Sequence, residues 1–307
     1  MLSPSRFTLL LLIFLALPVA LGQRIHAGSE TGSYTNDFCP QVERALRAEF
    51  FEHTCTTSQG SSENIERVQQ NPHDVGIGQF DVVAEAADNN PNTFAFVNPG
   101  IGVECLYAVT REANIENLSG LSPRMPVALP GEQSGSTTTF RFLQTLDESL
   151  ASMRNVSYYE SAIEAVRAVV NGDAALAFFV QFPNTDNPVF QTINNNNLSF
   201  VPVVNRQILR REVGGQNVYQ PQEVVVTPGG FFGLGSPTTV LTTCMPMVLF
   251  TGDPELFEEG SVERQDQVDL LAQLAETQAP TTGNWTNIFR NAVDVSQERI
   301  QSFLDGF

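Results

Sequence analysis

The chain has 307 residues, of which 42% are hydrophobic, so it is long enough for two domains and apolar enough to build their cores. Its 34 acidic residues outnumber 16 basic ones, all arginine, and the net charge of -18 argues against nucleic acid and anionic lipid as partners. The four cysteines and three histidines lack the spacing of a zinc site, so we predict no metal and no other cofactor.

The first 22 residues predict export. Arg6 precedes an apolar run over residues 7–16, and small residues follow up to Gly22, which is the pattern of a Sec-type signal peptide. The run is short for a membrane span, Pro18 interrupts it, and no cysteine stands at the cleavage point. We therefore expect cleavage after Gly22 and a periplasmic mature protein without a direct membrane anchor.

Strands and helices are predicted to alternate from Arg24 onward, which is typical of an α/β fold with parallel strands. In the first part of the chain we predict strands at 25–27, 55–58, 74–79 and 104–110, and helices at 38–51, 63–70 and 80–87.

A polar linker at 111–120 interrupts this alternation, which then restarts. The restart predicts a second lobe of the same architecture. We accordingly divide the chain into a signal peptide at 1–22, a first lobe at 23–108 and 235–307, and a second lobe at 109–234. The further predicted strands are 126–129, 156–159, 174–181, 198–204, 224–227 and 240–250, and the further helices are 137–146, 161–171 and 266–278.

Three motifs follow one another near the start of the predicted mature chain. They read Gly-Ser-Glu-Thr-Gly-Ser-Tyr at 28–34, Thr-Ser-Gln-Gly-Ser-Ser-Glu-Asn-Ile at 57–65 and Asp-Val-Gly-Ile-Gly-Gln-Phe-Asp at 74–81. Their order and spacing resemble the TAXI family of solute receptors for tripartite ATP-independent periplasmic (TRAP) transporters. The resemblance covers residues 25–183 well and 199–253 loosely.

The resemblance implies a type II periplasmic-binding-protein fold, with two α/β lobes joined by hinge strands. It further implies a receptor that catalyses nothing, captures a small polar carboxylate such as glutamate, glutamine or a related organic acid, and delivers it to the membrane subunits of a TRAP permease. The chain departs from the family after Tyr34, where Thr35-Asn36-Asp37 replaces a second aromatic residue or proline. This departure leaves the identity of the ligand open.

Glycine- and serine-rich loops precede three of the predicted helices, and helix N-termini attract anions. Glycine lets the backbone approach a ligand, and serine hydroxyls both donate and accept hydrogen bonds. Such loops also serve as ordinary turns and caps, and Tyr34 also suits packing at a helix start. The predicted ligand-binding residues are Gly28, Ser29, Ser33, Tyr34, Ser58, Gly60, Ser61, Ser62, Gln79, Gly135, Ser136, Thr137 and Gln181.

Cysteines in an exported chain predict disulfides, although four cysteines allow three pairings. Cys105 and Cys244 lie in strands predicted to cross between the lobes, which favours a bridge there. Cys39 and Cys55 form a possible second pair over an awkward reach, with free buried thiols as the alternative. Arg111 and Arg141 are candidate partners of a ligand carboxylate, with surface positions as the alternative.

Several other functions remain open. The same clamp suits an ABC importer or a sensor kinase. A hydrolytic enzyme on this fold needs a nucleophile with a positioned base, and His26, His53 and His73 lie in no recognisable nucleophile motif. Sequons at Asn117, Asn155, Asn197 and Asn284 suit a secreted eukaryotic protein but are also expected by chance.

Overall fold

The computed structural model of the protein describes residues 22–228, 236–280, 285, 288, 292–295 and 297–305. Residues 1–21 of the predicted signal peptide, and the predicted lobe boundary at 234/235, lie outside the described residues. In the described part of the chain, no helix is both long and apolar enough to cross a membrane.

Fourteen strands are described. They are β1 Gln23–His26, β2 His53–Thr56, β3 Val75–Gln79, β4 Phe94–Val97, β5 Val103–Thr110, β6 Val127–Leu129, β7 Val156–Tyr158, β8 Leu176–Gln181, β9 Ser199–Val201, β10 Glu212–Val213, β11 Gln216–Asn217, β12 Gln220–Thr227, β13 Thr238–Gly252 and β14 Ala292–Asp294.

The helices lie mainly between the strands. They are α1 Cys39–Ala48, α2 Ser61–Gln70, α3 Phe80–Asn89, α4 Gly135–Leu146, α5 Glu148–Ala151, α6 Ala162–Asn171, α7 Pro188–Asn195, α8 Arg206–Leu209, α9 Val262–Ala275 and α10 Gln297–Asp305. A single π-helical turn, Tyr34–Phe38, leads into α1.

Local sequence explains where these elements form. Helix α1 buries Cys39, Val42 and Leu46, whose spacing of three and four residues places them on one face. Helix α6 begins after Ser161, whose hydroxyl accepts a hydrogen bond from the backbone N–H of Glu164. It ends at Gly172, which adopts the left-handed conformation with a φ of 86°. Strand β3 is buried at every position, as expected of a parallel strand covered on both faces.

The strands form two halves with the same topology. In the first, the order is β2-β1-β3-β13-β4, and in the second it is β7-β6-β8-β5-β9. In each half the first three strands are parallel and the fourth runs antiparallel to them. The predicted α/β fold with two lobes of one architecture is therefore confirmed.

Strand β13 joins the two halves. Residues 244–246 pair with β5, and residues 247–251 pair with β3 of the first lobe. Strand β5 pairs along its length with the second sheet, and so does the first half of β13. The division made from the sequence assigns residues 103–108 and 238–246 to the first lobe instead. Alternating patterns do not show where a continuous strand passes from one sheet to another.

Both cysteine pairs considered from the sequence form disulfides. Cys105 and Cys244 face each other across β5 and β13, with their Cα atoms 3.9 Å apart. Cys39 and Cys55 join the start of α1 to β2, with Cα atoms 5.9 Å apart. This second reach is short because α1 packs along β2. Disulfides are typical of exported proteins.

One cluster of buried apolar residues runs through both lobes. It includes Phe80 and Val83 of α3 together with Phe140 of α4 and Phe178 of β8. A separate cluster lies mainly within each lobe. Contact between the lobes therefore buries apolar surface, which favours the closed arrangement.

A methyl group at position 76 has no room in the first lobe. The Cβ of Gly76→Ala would lie 2.1–2.6 Å from three ring atoms of Phe250, which is fully buried. We expect Gly76→Ala to lower the free energy of unfolding by about 1–3 kcal/mol in urea denaturation. Gly131→Ala, whose Cβ meets nothing within 4 Å, is the matched control. Equal stability of the two variants would contradict this packing.

Candidate functional site

The two lobes meet where α2 and α4 begin. A Cβ at Gly60, just before α2, would lie only 3.4 Å from the backbone nitrogen of Gly135, the first residue of α4. The hydroxyls of Ser62 and Thr138 are hydrogen-bonded across the junction at 2.7 Å. Both helices follow parallel strands, so their N-termini lie at the edges of the two sheets that face each other. The loops predicted at 60–62 and 135–137 therefore contact each other.

Gln79 at the end of β3 connects three elements at this junction. Its backbone N–H donates to the hydroxyl of Ser61 at 3.1 Å, and its side-chain oxygen lies 3.4 Å from the hydroxyl of Thr139 in α4. A Cβ at Gly135 would lie 2.2 Å from that same oxygen and 3.0 Å from the Ser61 hydroxyl. The close approach of the lobes thus depends on glycine at position 135.

A buried carboxyl group, that of Glu104 in β5, lies beside these residues. The hydroxyl of Tyr34 donates a hydrogen bond to it. The side chain of Gln79 is also hydrogen-bonded to Glu104, and the side chain of Ser61 is hydrogen-bonded to Tyr34. Only 6% of Glu104 is exposed. Burial raises the pKa of Glu104 to about 8, despite the hydrogen bond from Tyr34 and with a further contribution from the charge of Asp81.

A second buried carboxyl group, that of Asp81 in the first turn of α3, is held by both lobes. It accepts hydrogen bonds from the Thr139 hydroxyl at 2.6 Å and from the Tyr219 hydroxyl at 2.9 Å, both in the second lobe. It also accepts from the N–H of Val82 at 2.8 Å. Burial raises the pKa of Asp81 to about 6 although these hydrogen bonds oppose the shift.

The two arginines proposed from the sequence as carboxylate partners lie on the surface. Arg141 pairs with Glu132 at 3.0 Å and donates to the hydroxyl of Tyr158, and Arg111 lies exposed beside Gly172. Within the described ranges, the hydrogen bonds to Glu104 and Asp81 come from hydroxyl and amide groups, none from an arginine. Among the described residues, the two acids of the junction are therefore bonded only to neutral donors.

Two predicted site residues in α4 direct their hydroxyls into the second lobe. Ser136 accepts a hydrogen bond from the N–H of Val180 at 2.9 Å, and Thr137 donates to the carbonyl of Pro130 at 2.9 Å. In both cases the hydroxyl fixes α4 to its own sheet. Both hydroxyls are thus already engaged, which leaves the backbone of these residues for contact with a ligand.

The remaining predicted residues differ in exposure and in the contacts that they make. Ser58 accepts from the N–H of Gly60 at 3.1 Å. Gly28 is buried against Tyr34, Ser29 is exposed, and Ser33 is half-buried at the start of the π-helical turn. Gln181 is half-buried at the end of β8, opposite Cys105. Their part in binding stays a prediction.

Sequence reasoning missed Asp81 and Glu104. Glu104 is a single acid in a strand that is otherwise apolar up to Thr110, and this is the one signal that could have revealed it. Asp81 resembles an ordinary first-turn acid, which helix dipoles favour at countless surface positions. Its partners Thr139 and Tyr219 lie 58 and 138 residues away, so only the fold shows their contact.

A pocket of about 310 Å³ opens beside the junction, between α2, α3 and α4. The acidic residues Glu66, Asp81 and Glu85 line it, together with the apolar residues Val82 and Phe142. Arg211, from the second lobe, pairs with Glu85 at 2.8 Å and lies over the ring of Phe142.

The histidines lie away from the lobe junction. His26 contacts the Thr56 hydroxyl at 3.0 Å and the carboxyl group of Asp74 at 2.8 Å, and Asp74 precedes β3, at the opposite end of that strand from Gln79. His53 is hydrogen-bonded to the backbone carbonyl of His73 at 3.0 Å. These contacts tie the first-lobe strands together.

Three solved structures are similar to this chain, at low sequence identity and with TM-scores below 0.5. The GluR0 ligand-binding core in complex with L-glutamate is 13% identical, with 93% of this chain and 99% of that chain covered and a TM-score of 0.47. An ancestral arginine-binding protein bound to arginine is 13% identical, with 87% and 96% covered and a TM-score of 0.46. A histidine kinase sensor domain with similarity to periplasmic binding proteins is 14% identical, with 89% and 98% covered and a TM-score of 0.45.

No family model and no curated protein matches the sequence. The strand order of the two lobes, with β13 passing from one sheet to the other, is that of a two-lobed mixed α/β fold.

Proposed function

We propose that the protein is an exported solute receptor whose two lobes close over a small polar molecule, and that it catalyses no reaction. The observation that carries this proposal is the polar junction itself. Gln79, Asp81 and Ser62 of the first lobe each lie in hydrogen-bonding contact with α4 of the second lobe. Such a junction places polar groups of both lobes around any molecule that enters between them.

The connecting strands supply the hinge of this receptor. Solute binds one lobe first, and contacts from the other lobe then stabilise the closed state. The disulfide Cys105–Cys244 joins β5 to β13 next to Glu104, so the two strands stay in register while the lobes move. The hinge and the binding residues are therefore adjacent in the fold.

The resemblance to TAXI receptors supports a TRAP-type permease as the membrane partner and a periplasmic location for the receptor. Two disulfides agree with an oxidising compartment. An ABC importer or a sensor kinase would use the same clamp. Solute uptake by vesicles that contain TRAP membrane subunits, with and without the receptor, distinguishes these partners, since only the true permease requires the receptor.

Ligand-induced closure tests the receptor proposal directly. The mature protein is titrated with the twenty amino acids, small dicarboxylates, polyamines and sugars while its melting temperature and radius of gyration are followed. We expect at least one solute to raise the melting temperature and change the radius of gyration, because a ligand bound only to the folded state stabilises it. A complete absence of response across the panel would count against a solute receptor.

Ser62→Ala removes the hydrogen bond to Thr138 across the junction without emptying the core. We expect this variant to bind the solute about 3- to 10-fold more weakly, which corresponds to about one hydrogen bond, and to remain folded. Ser157→Ala, at an exposed position of β7, is the matched control and should bind as the native protein does. If calorimetry gives Ser62→Ala native affinity, the loop at 60–62 does not belong to the site.

A further inference from the structure

We infer that the solute which closes the lobes carries a cationic nitrogen, an ammonium or guanidinium group, that pairs with Asp81 and Glu104. The inference rests on the proposed function and names the ligand class of the same junction. It replaces the carboxylate that the sequence resemblance suggests as the defining group of the ligand.

The first step is the charge balance of the closed junction. Asp81 is 2% exposed and Glu104 is 6% exposed, so both residues are almost completely shielded from water where the lobes are in contact. Their described partners are the hydroxyls of Tyr34, Thr139 and Tyr219 together with amide groups, all of them neutral. A buried carboxylate without a counter-charge is costly and takes up a proton or a cation instead.

The second step concerns the forces between the lobes. The apolar cluster shared by α3, α4 and β8 favours closure, whereas Asp81 and Glu104 oppose it whenever both are ionised. A cation between the lobes removes this opposition. An anion would add a third negative charge to the same space, and the arginines that could neutralise it, Arg111 and Arg141, lie on the surface.

The third step is the pocket beside the junction. At about 310 Å³ it falls at the small end of ligand pockets, and it leads to Asp81. Glu66 and Glu85 add negative charge to its wall, while Val82 and Phe142 provide apolar surface for a hydrocarbon chain. Arg211 pairs with Glu85 and Asp88 at the rim, so its charge is already matched. This wall suits an amine with a short apolar body.

An amino acid fits this arrangement through its ammonium group, and a basic amino acid or a diamine fits it best. The starts of α2 and α4 lie within the same junction and would accept an α-carboxylate where one is present. Dicarboxylic acids without an amine have no group for Asp81 and Glu104. The prediction therefore separates amines from simple organic acids.

Calorimetric titration of the mature protein at pH 7.5 with L-lysine, L-arginine, putrescine, L-glutamate, succinate and 2-oxoglutarate tests the inference. We expect at least one of the first three to bind at least tenfold more tightly than succinate or 2-oxoglutarate. Asp81→Asn and Glu104→Gln should each weaken binding of that amine at least tenfold. Glu132→Gln, at an exposed acid paired with Arg141, is the matched control and should leave affinity unchanged.

Proton release provides a second measurement that needs no variant. Glu104 and Asp81 lie close enough for their charges to interact, and Tyr34 and Tyr219 lie beside them. The charged groups next to Tyr219 are Glu85 and Arg211. Amine binding at pH 7.5 should release a proton from Glu104, whose pKa burial raises to about 8, whereas Asp81, with a pKa raised to about 6, is already ionised. Titrations in buffers of different ionisation enthalpy detect this release. Binding without release, or with proton uptake, would overturn the inference.

The possible failures are distinguishable. Tight binding of succinate, 2-oxoglutarate or a sugar, with no response to amines, overturns the cationic ligand and leaves the solute receptor standing. Absence of binding by every class of solute overturns both proposals.

Discussion

Gly135→Val should prevent the lobes from closing while each lobe keeps its own fold. The first side-chain carbon at this position would lie 2.2 Å from the Gln79 side-chain oxygen and 3.0 Å from the Ser61 hydroxyl, both in the first lobe. Gln79 is 5% exposed and has little room to move aside. We therefore expect solute affinity to fall by about a hundredfold, the upper range for overpacking of a close contact.

Scattering and calorimetry together check this result. The variant should show a larger radius of gyration than the native protein, and solute should not reduce it. Gly131→Val lies four residues earlier in the same loop, where a Cβ meets nothing within 4 Å, and should bind as the native protein does. A Gly135→Val protein that closes and binds normally would show that the lobes do not meet at this residue in the liganded state.

Glu104→Gln should stabilise the protein, and the gain should grow with pH. Burial raises the pKa of Glu104 to about 8 from an ordinary value of 4.5, so the folded protein holds a proton that the unfolded chain has lost. Between these two values the unfolded state binds fewer protons, and stability falls as the pH rises. Glutamine keeps the hydrogen-bond acceptor for Tyr34 without the charge. We expect a gain of about 4 kcal/mol near pH 8 and almost none below pH 4.5.

Urea denaturation from pH 4 to 9 measures this difference. Asp81, whose pKa is raised to about 6, also makes stability fall as the pH rises. The Glu104→Gln variant retains part of this fall. Glu112→Gln, at an exposed position just after β5, is the control and should follow the native curve. A native protein whose stability rises between pH 5 and 8, or a variant with no gain at pH 8, would contradict the burial of an uncompensated carboxyl group.

Much of the fold follows from sequence pattern because its helices and strands keep clear periodicity. The second lobe repeats the strand order of the first, and the restart after residue 120 predicted this repetition. Strand β4 at 94–97 was not predicted, since its four residues stand alone between turn-forming segments and pair only with the end of β13. Pairing with a strand more than 150 residues later leaves no local signal.

The loop residues of the candidate site could be predicted from the sequence, but its acidic residues could not. Gln79 ends a strand and Gly60 and Gly135 lie at helix starts, where ligand loops are expected, and the fold brings them close together. The charge of the site comes instead from Glu104 and Asp81, whose environment is created by the opposite lobe. Sequence pattern identifies loop ends, but it does not show which groups two lobes bury between them.

Native mass spectrometry of the mature protein, with identification of any small molecule that it releases, tests the central claim most directly. We predict one bound solute per chain, containing an amine, that dissociates on denaturation and rebinds to the refolded protein. A protein that carries no small molecule and whose melting temperature responds to no solute would contradict its function as a receptor.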